Sequence, residues 1–341
     1  MCHPYTTWSM YMNSAVRQSY GDEHSSAFIH SGSTIDRKYV HRQAINEVFI
    51  TSQHQLADDH FMIFAALPKS HMYFNDYSKL ANGKQYYDPM LLLEVFRQTS
   101  ICVTHKYYDV PFSAKFIFND ANFNIINYQK LEVTQEPSLA SVEVKITNHK
   151  YRKNILTGYT LEMKLFIDNV LCAQKSMGIG WMDGAVWKKL RSKVEIHKLL
   201  NHLDIKPESC LSVGRIISHN VVIGNAQIKN DHFTTELIVD QSYSPIFDHP
   251  LDHVPAMFII EAFRQTGLLA VKVYNDIPAN KLIFHDCNIS FQQFCELNNI
   301  SQCIVNRHEV EFINNLIHIP IYLLQENIKN TCGTITFRVI A

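Results

Sequence analysis

A six-residue motif that combines a carboxylate, a guanidinium and an amide occurs twice in this chain of 341 residues. It reads EVFRQT at residues 94–99 and EAFRQT at residues 261–266. In each copy the glutamate and the arginine are at positions i and i+3, so a helix places them on one face. Such a pair can serve as a general base beside a cation that binds an anionic group. The alternative is a buried ion pair that only stabilises the helix.

We expect the second copy to carry the main catalytic pair, Glu261 and Arg264, because His249 and His253 flank a turn just before its helix. The first copy has no histidine at the corresponding place, although its half can complete a composite site if the two helices run side by side. The glutamine after each arginine is expected to satisfy a backbone or carboxylate group. The further candidates are Glu94 and Arg97 for catalysis, and Lys69, His71 and Gln265, with the two histidines, for substrate binding.

Both motifs lie in segments that are apolar on nearly every side of a helix. Asp88 and Pro89 are typical of a helix start, and the pattern predicts a first helix that runs to about Tyr107. A second helix is predicted from near Pro255 to Tyr274. A helix that is apolar all round is expected to be buried, so other elements must cover each of these two.

Strand-like segments accompany each helix, with alternating apolar residues and hairpin signals such as Asp168-Asn169. One buried helix wrapped by an antiparallel sheet is the hotdog architecture, so the sequence predicts an α+β fold made of two tandem hotdogs. The predicted strands are residues 47–51, 60–66, 116–126, 140–147, 160–167 and 170–181 in the first half, and 221–223, 233–239, 316–324 and 332–340 in the second.

Further repeated segments indicate that a whole domain is duplicated. Val40-His41-Arg42 matches Val213-Gly214-Arg215, and Lys115 to Asp120 matches Lys281 to Asp286. A single hotdog exposes a sheet edge, which the other half is expected to cover. The predicted divisions are a weakly ordered N-terminal extension at 1–37, a first hotdog domain at 38–182, a linker at 183–212 with a helix over 186–203, and a second hotdog domain at 213–341.

The composition argues against several classes of function. The chain has 31 basic and 32 acidic residues, so its charge gives no sign of a nucleic-acid partner. No segment has the roughly 18 uninterrupted apolar residues of a membrane-spanning helix, and the N-terminus lacks the apolar core of a signal peptide. The eight cysteines form no C-x-x-C pair, and the 18 histidines show no metal-ligand spacing. We therefore expect a cytoplasmic protein that binds no metal and does not insert into a membrane.

Six segments, three from each half, carry a likeness to a known family. They are Val40-His41-Arg42, Leu67 to His71 and Asp88 to Glu94, then Val213-Gly214-Arg215, Phe247 to Pro255 and Glu261 to Gln265. In this order they resemble the A-factor synthase family, the tandem hotdog proteins of γ-butyrolactone signal biosynthesis. The likeness covers roughly residues 38–341. Two departures are Ala256, where the family usually has glycine, and Lys69, where an arginine is common.

The resemblance implies a β-ketoacyl transferase of secondary metabolism and quorum signalling. Such an enzyme moves a β-ketoacyl chain from an acyl carrier protein to a hydroxyl of dihydroxyacetone phosphate or a similar C3 acceptor, and the ester then closes to a butenolide. Glu261 would be the base, Arg264 would bind the phosphate, and N–H groups near Ala256 and Met257 would stabilise the oxyanion. No cofactor is implied beyond the phosphopantetheine that arrives on the carrier protein. The chain would act as a monomeric double hotdog or as a homodimer.

Two other functions remain open at this point. A hotdog dehydratase or thioesterase would use His249 with Glu261 on an acyl thioester, but neither reaction needs the second anion site that Arg264 offers. A non-catalytic protein that binds an acyl chain or a butyrolactone would use both Glu–Arg pairs for structure alone. The basic cluster of the linker is either a solvated helix face or a docking patch for an acidic carrier protein. It comprises Lys188, Lys189, Arg191 and Lys193.

Overall fold

The structure of the protein, a computed structural model, describes residues 32–76, 80–192 and 204–340. Helix α1 spans Pro89–Tyr107, the short helix α2 spans Gly184–Arg191, and helix α3 spans Ala256–Asn275. The two long helices are those predicted from the apolar runs. No helix in the described ranges is long and apolar enough to cross a membrane.

In the described ranges, 14 strands form one antiparallel sheet that continues through both halves. The first half supplies β1 (Ile50–Ala57), β2 (His60–Leu67), β3 (Lys115–Phe118), β4 (Asp120–Ile125), β5 (Ser138–Arg152), β6 (Ile155–Ile167) and β7 (Val170–Met182). The second supplies β8 (Ile223–Lys229), β9 (His232–Leu237), β10 (Leu282–Phe291), β11 (Ser301–Asn306), β12 (Glu311–Ile313), β13 (Leu316–Gln325) and β14 (Ile328–Val339). Their order is β1-β2-β5-β6-β7-β4-β10-β14-β13-β11-β9-β8, while β3 pairs with β7 and β12 with β13.

This strand order is the same when it is followed inwards from either end, so an approximate two-fold axis relates the halves. Strands β4 and β10 meet at the centre as an antiparallel pair, with Asn122 directly opposite Asn288. Through this pair each half covers an edge of the other half's sheet. The α+β tandem hotdog predicted from the sequence is confirmed.

Aromatic side chains connect the central helix of the first half to the sheet of the second. Phe96 of α1 contacts Phe123 of β4 with ring centroids 6.2 Å apart, and Phe123 contacts Phe284 of β10 at 5.9 Å. Phe284 lies 6.4 Å from Phe337 of β14. All four rings are buried in one hydrophobic cluster, which also brings α1 and α3 into contact. The residues on these two helices are therefore held in a common frame.

The two long helices begin in different ways. Asp88 caps α1 by accepting a hydrogen bond from Met90 N at 2.9 Å, as predicted. Helix α3 follows Pro255, which offers no side-chain acceptor. Within the described ranges, the N–H groups of Ala256 and Met257 make no hydrogen bond. The start of α3 therefore keeps free donors and the partial positive charge of a helix N-terminus.

Three strand predictions differ from the structure. Of the strand predicted over residues 221–223, only Ile223 lies in a strand, where it begins β8. Residues 47–49 precede β1 instead of beginning it, because the Gln98 side chain occupies their backbone groups. It accepts a hydrogen bond from Phe49 N at 2.9 Å and donates one to Glu47 O at 2.7 Å. The strand predicted over residues 116–126 is divided into β3 and β4, which pair with different stretches of β7.

Parts of two other predicted segments lie outside the described residues. Of the extension predicted for residues 1–37, the structure describes only residues 32–37, where Ile35 donates its N–H to Ile50 O at 3.0 Å. Of the helix predicted for residues 186–203, the first part forms α2 and the remainder from residue 193 is not described. The predicted domain limits stay a prediction.

Candidate active site

In the first half, two arginines share one buried carboxylate. Glu94 of α1 lies 2.7 Å from Arg42 Nη2 and 2.8 Å from Arg97 Nε, and Gln98 donates to it at 2.7 Å. Burial disfavours the charged carboxylate, but Arg42 and Arg97 outweigh that effect and lower the pKa of Glu94 to about 2. Glu94 is therefore charged and fully paired at neutral pH, which makes it a weak proton acceptor.

The second half repeats this arrangement. Glu261 of α3 lies 2.8 Å from Arg215 Nη2 and 2.8 Å from Arg264 Nη2, and Gln265 is a further donor. Burial is again outweighed by the two arginines, which lower the pKa of Glu261. The geometry does not favour Glu261 as the general base, and that role stays a prediction.

Each half also supplies groups to the arginine cluster of the other. Arg215 donates to Tyr73 O at 2.7 Å, and Asp76 Oδ1 accepts hydrogen bonds at 3.1 Å from the two N–H groups that follow Arg215. The first-half cluster repeats this contact between Arg42 and the loop that carries Asp248. The two clusters are therefore composite, as expected for helices that lie side by side.

The motif arginines differ in their surroundings. Arg264 donates to Asp88, the N-cap of α1, at 2.8 Å, so it lies between two carboxylates and its side chain is 8% exposed. Arg97 is the first-half equivalent of Arg264, and Pro255 at the start of α3 stands at the repeat position of Asp88. Arg97 is 20% exposed, and its Nη1 has no hydrogen-bond acceptor among the described residues. Arg97 is therefore better able than Arg264 to bind an added anion.

Neutral histidines gather near Arg97. His41 Nε2 lies 2.7 Å from His105 Nε2, and burial, followed by His105 and Arg97, lowers the pKa of His41 to about 3. His249 comes from the second half, and its Nδ1 lies 3.6 Å from Asp248 Oδ2. Burial lowers the pKa of His249, with Arg97 acting in the same direction. Both imidazoles are neutral near pH 7, and the strongly lowered pKa of His41 makes that residue a weak proton acceptor.

Two residues predicted to bind substrate, His253 and Gln265, instead contact other groups of the protein. His253 Nδ1 lies 2.7 Å from Asp252 Oδ1, and its ring packs against Phe294 with centroids 4.9 Å apart. Gln265 donates to Asn220 O at 2.7 Å in addition to its bond with the motif carboxylate. The expectation that this glutamine satisfies backbone and carboxylate groups is confirmed, and it leaves the amide little capacity for a substrate.

The two loop residues of the first half have different positions. His71 Nε2 lies 3.3 Å from Glu47 Oε1, and Glu47 in turn helps to raise the pKa of Arg42. His71 therefore belongs to the edge of the first-half cluster. Lys69 donates to Gln135 O, which is part of neither cluster. The structure does not bring Lys69 to the motif arginines through any contact in the described ranges.

Comparison with known proteins assigns the duplicated fold to a family. Residues 26–182 and 202–340 match the AfsA family, described as the A-factor biosynthesis hotdog domain. The chain belongs to this family. The resemblance inferred from the sequence motifs is thereby confirmed.

Relatives of the A-factor biosynthesis family carry a name that describes a reaction. The 2-oxo-3-(phosphooxy)propyl 3-oxoalkanoate synthase of Streptomyces virginiae is 29% identical over 69% of this chain and 76% of its own. The protein of the same name from Streptomyces griseus is 24% identical over 70% and 76%. A solved structure from Lactobacillus plantarum, described as an oleoyl thioesterase, aligns with a TM-score of 0.51 over 83% of this chain and 97% of that chain at 10% identity. This last likeness shows the fold alone.

Three charged residues of these clusters were not among the candidates predicted from the sequence. Arg42 and Arg215 each lie two residues after a valine in a repeated segment, and that repetition was the available signal. Asp88 was expected only to cap α1, yet it also neutralises Arg264. No local pattern indicates the second role, because it depends on the packing of the two halves.

The ion pairs of Glu94 should make a contribution to the free energy of unfolding that depends on pH. A carboxylate with a folded pKa of about 2 and an ordinary value of 4.5 stabilises the fold above its ordinary value and loses that contribution as the pH falls towards 2. Glu94→Gln should lower the free energy of unfolding by ~3 kcal/mol at neutral pH. This gap between the variant and the wild type should become smaller below about pH 4.5. Urea unfolding at several pH values measures this gap, with the exposed Glu162→Gln as a control. A gap that does not change with pH would contradict the assignment.

Proposed function

We propose that this protein is a β-ketoacyl transferase that forms a phosphorylated ester in butenolide signal biosynthesis. The name of the Streptomyces relatives describes an ester between a 3-oxoalkanoyl chain and a 2-oxo-3-(phosphooxy)propyl group. In this reaction the hydroxyl of dihydroxyacetone phosphate attacks an acyl thioester. The ester C–O bond forms, the C–S bond breaks, and the hydroxyl proton passes through a base to the departing thiol. The site must bind a phosphate, move a proton and stabilise an oxyanion.

The incompletely paired guanidinium of Arg97 is the observation that carries this proposal. A guanidinium binds phosphate through parallel N–H donors, and the Nη1 of Arg97 is available for such a contact. The uncapped N–H groups of Ala256 and Met257 at the start of α3 add donors with partial positive charge. At the corresponding place of the second half, the Asp88 carboxylate would repel a phosphate. We therefore assign the acceptor site to the first-half cluster, in place of the second half expected from the sequence.

His249 is the base that we propose for the acceptor hydroxyl. Its side chain is 33% exposed, burial lowers its pKa, and it is therefore neutral near pH 7. It follows Asp248, which accepts a hydrogen bond from Ala44 N at 3.1 Å and so joins this loop of the second half to the first-half cluster. Glu94 would act as a positioning residue that holds the guanidiniums of Arg42 and Arg97. Its depressed pKa is unsuited to proton transfer at neutral pH.

The acyl donor would arrive as a thioester on acyl carrier protein, and no cofactor beyond its phosphopantetheine is proposed. Of the basic cluster predicted as a docking patch, Lys188 and Lys189 are exposed on α2, and Lys193 lies outside the described residues. Arg191 is not available for docking, because it is buried and donates to Glu296 at 2.6 Å and 2.7 Å. Any contact of α2 with an acidic carrier protein would therefore depend on the two lysines.

The acceptor assignment predicts that two equivalent substitutions have unequal effects. Arg97→Gln should reduce transfer to dihydroxyacetone phosphate by about 100-fold, and it should affect dihydroxyacetone much less, because only the first acceptor loses a charge-assisted contact. Arg264→Gln is the matched control and should show no such preference. Mass spectrometry of products from a β-ketoacyl carrier-protein thioester measures both rates. Equal losses with both acceptors would refute the phosphate role, and release of free acid alone would identify a thioesterase.

The base assignment predicts a pH dependence that one histidine controls. Wild-type kcat/KM should fall as the pH drops through the pKa of His249, which lies below the ordinary value of 6.5, because the protonated imidazole cannot accept a proton. His249→Asn should reduce the rate by about 100-fold or more and remove this acid limb. His253→Asn, four positions away and paired with Asp252, should keep both the rate and the profile. An unchanged acid limb in His249→Asn would exclude His249 as the base.

A further inference from the structure

The second half contains a pocket at the position that an imidazole fills in the first. Gly214 occupies the repeat position of His41, and both residues have a left-handed backbone, with φ of 74° and 51°. In the first half the His41 ring packs against Phe116 with centroids 5.1 Å apart. In the second half Gly214 has no side chain at the matching position and lines a pocket, which we call the Gly214 pocket. Its lining includes Gly214, Tyr87, Leu268, Phe284, Phe337 and Arg264.

The walls of the Gly214 pocket are mostly apolar, but one buried donor in it lacks a partner. Arg264 is 7% exposed, and its Nε–H has no acceptor among the described residues. Leaving a buried N–H unpaired costs roughly 1–3 kcal/mol, so a ligand that supplies one acceptor oxygen would recover part of that cost.

The charge of Arg264 is already balanced. Asp88 and Glu261 each lie 2.8 Å from its terminal nitrogens. An anionic ligand would gain little from this guanidinium and would approach the Asp88 carboxylate, which also lines the pocket. The surroundings of Arg264 therefore favour an uncharged acceptor such as a carbonyl oxygen.

We infer that the Gly214 pocket is a second ligand site, which takes an uncharged carbonyl compound with an alkyl tail, such as an alkyl lactone. The carbonyl oxygen accepts a hydrogen bond from Arg264 Nε, and the tail packs against Leu268 and the phenylalanine rings of the sheet. The duplicated positions have diverged in charge, since the first-half site offers a cation with free donors and the second offers a neutralised one. This inference concerns binding alone and does not depend on the transfer reaction.

Ligand-observed NMR on the full chain tests the pocket, with γ-decanolactone as the probe. The wild type should bind the lactone saturably, bind decanoate at least ten-fold more weakly, and show no competition from inorganic phosphate. Gly214→His places the first-half residue in the pocket and should weaken lactone binding at least ten-fold. The backbone there already has the left-handed conformation that His41 adopts. Leu268→Phe narrows the same space from α3 and should have the same effect if the glycine variant does not fold.

Two control variants separate this pocket from the proposed phosphate site. Ile101→Phe changes the first-half equivalent of Leu268 and should leave lactone binding unchanged, as should Arg97→Gln. The inference is overturned if the wild type does not bind the lactone, if decanoate binds as tightly, or if folded Gly214→His and Leu268→Phe proteins bind it normally. Loss of lactone binding in Arg97→Gln would also overturn it, by placing the ligand in the first-half site.

Discussion

Each half of the protein depends on a buried carboxylate that two arginines share. Glu94 and Glu261 are almost fully inaccessible to solvent, and so is Arg215. Removing such ions from water costs several kcal/mol each, so the arrangement persists only if every charge finds partners. The arginine that precedes β1 or β8 must therefore reach the central helix, and a loop of the opposite half must supply carbonyl acceptors. The ion pairs and the β4–β10 junction together specify how the halves pack.

The proposed chemistry arises where the two-fold symmetry is broken. Asp88 at the start of α1 neutralises the charge of Arg264. Pro255 at the start of α3 has no carboxylate and leaves Arg97 with spare donors. A second break places His41 in the first half where Gly214 stands in the second. These two differences leave Arg97 with a free Nη1 donor in one cluster, and they leave a pocket lined by Gly214 beside a neutralised Arg264 in the other. The Glu–Arg pairs are common to both and so cannot by themselves distinguish the functions.

The sequence predicted the fold and the family more fully than it predicted the site. The long helices follow from continuous apolar runs, and the duplication follows from repeated motifs, so local patterns were sufficient for both. The partners of the motif arginines were harder to predict because they lie far away in the chain. Arg264 pairs with Asp88, and Asp248 accepts a hydrogen bond from Ala44 N, only because the halves pack around a common axis. The later start of β1 has a similar origin, because Gln98 of α1 accepts a hydrogen bond from Phe49 N, just before the strand.

The prediction of which half holds the working site shows most clearly why partners far away in the chain are hard to predict. Histidines before α3 suggested that the second motif was the working one. The part of that loop around His249 contacts the first half instead, where the neighbouring Asp248 accepts a hydrogen bond from Ala44 N. A turn that precedes a helix in sequence therefore need not serve that helix in space.

The most direct test of this account is to transfer the aspartate of α1 to α3 and measure acyl transfer. Pro255→Asp should cap α3 and keep the melting temperature at or above that of the wild type, because an N-cap acceptor replaces a residue that has none. The same carboxylate should neutralise Arg97 and reduce transfer to dihydroxyacetone phosphate by about 100-fold. Pro137→Asp, at an exposed position, is the matched control and should transfer normally. A folded Pro255→Asp protein with wild-type turnover would contradict the claim that the incompletely paired guanidinium of Arg97 binds the acceptor.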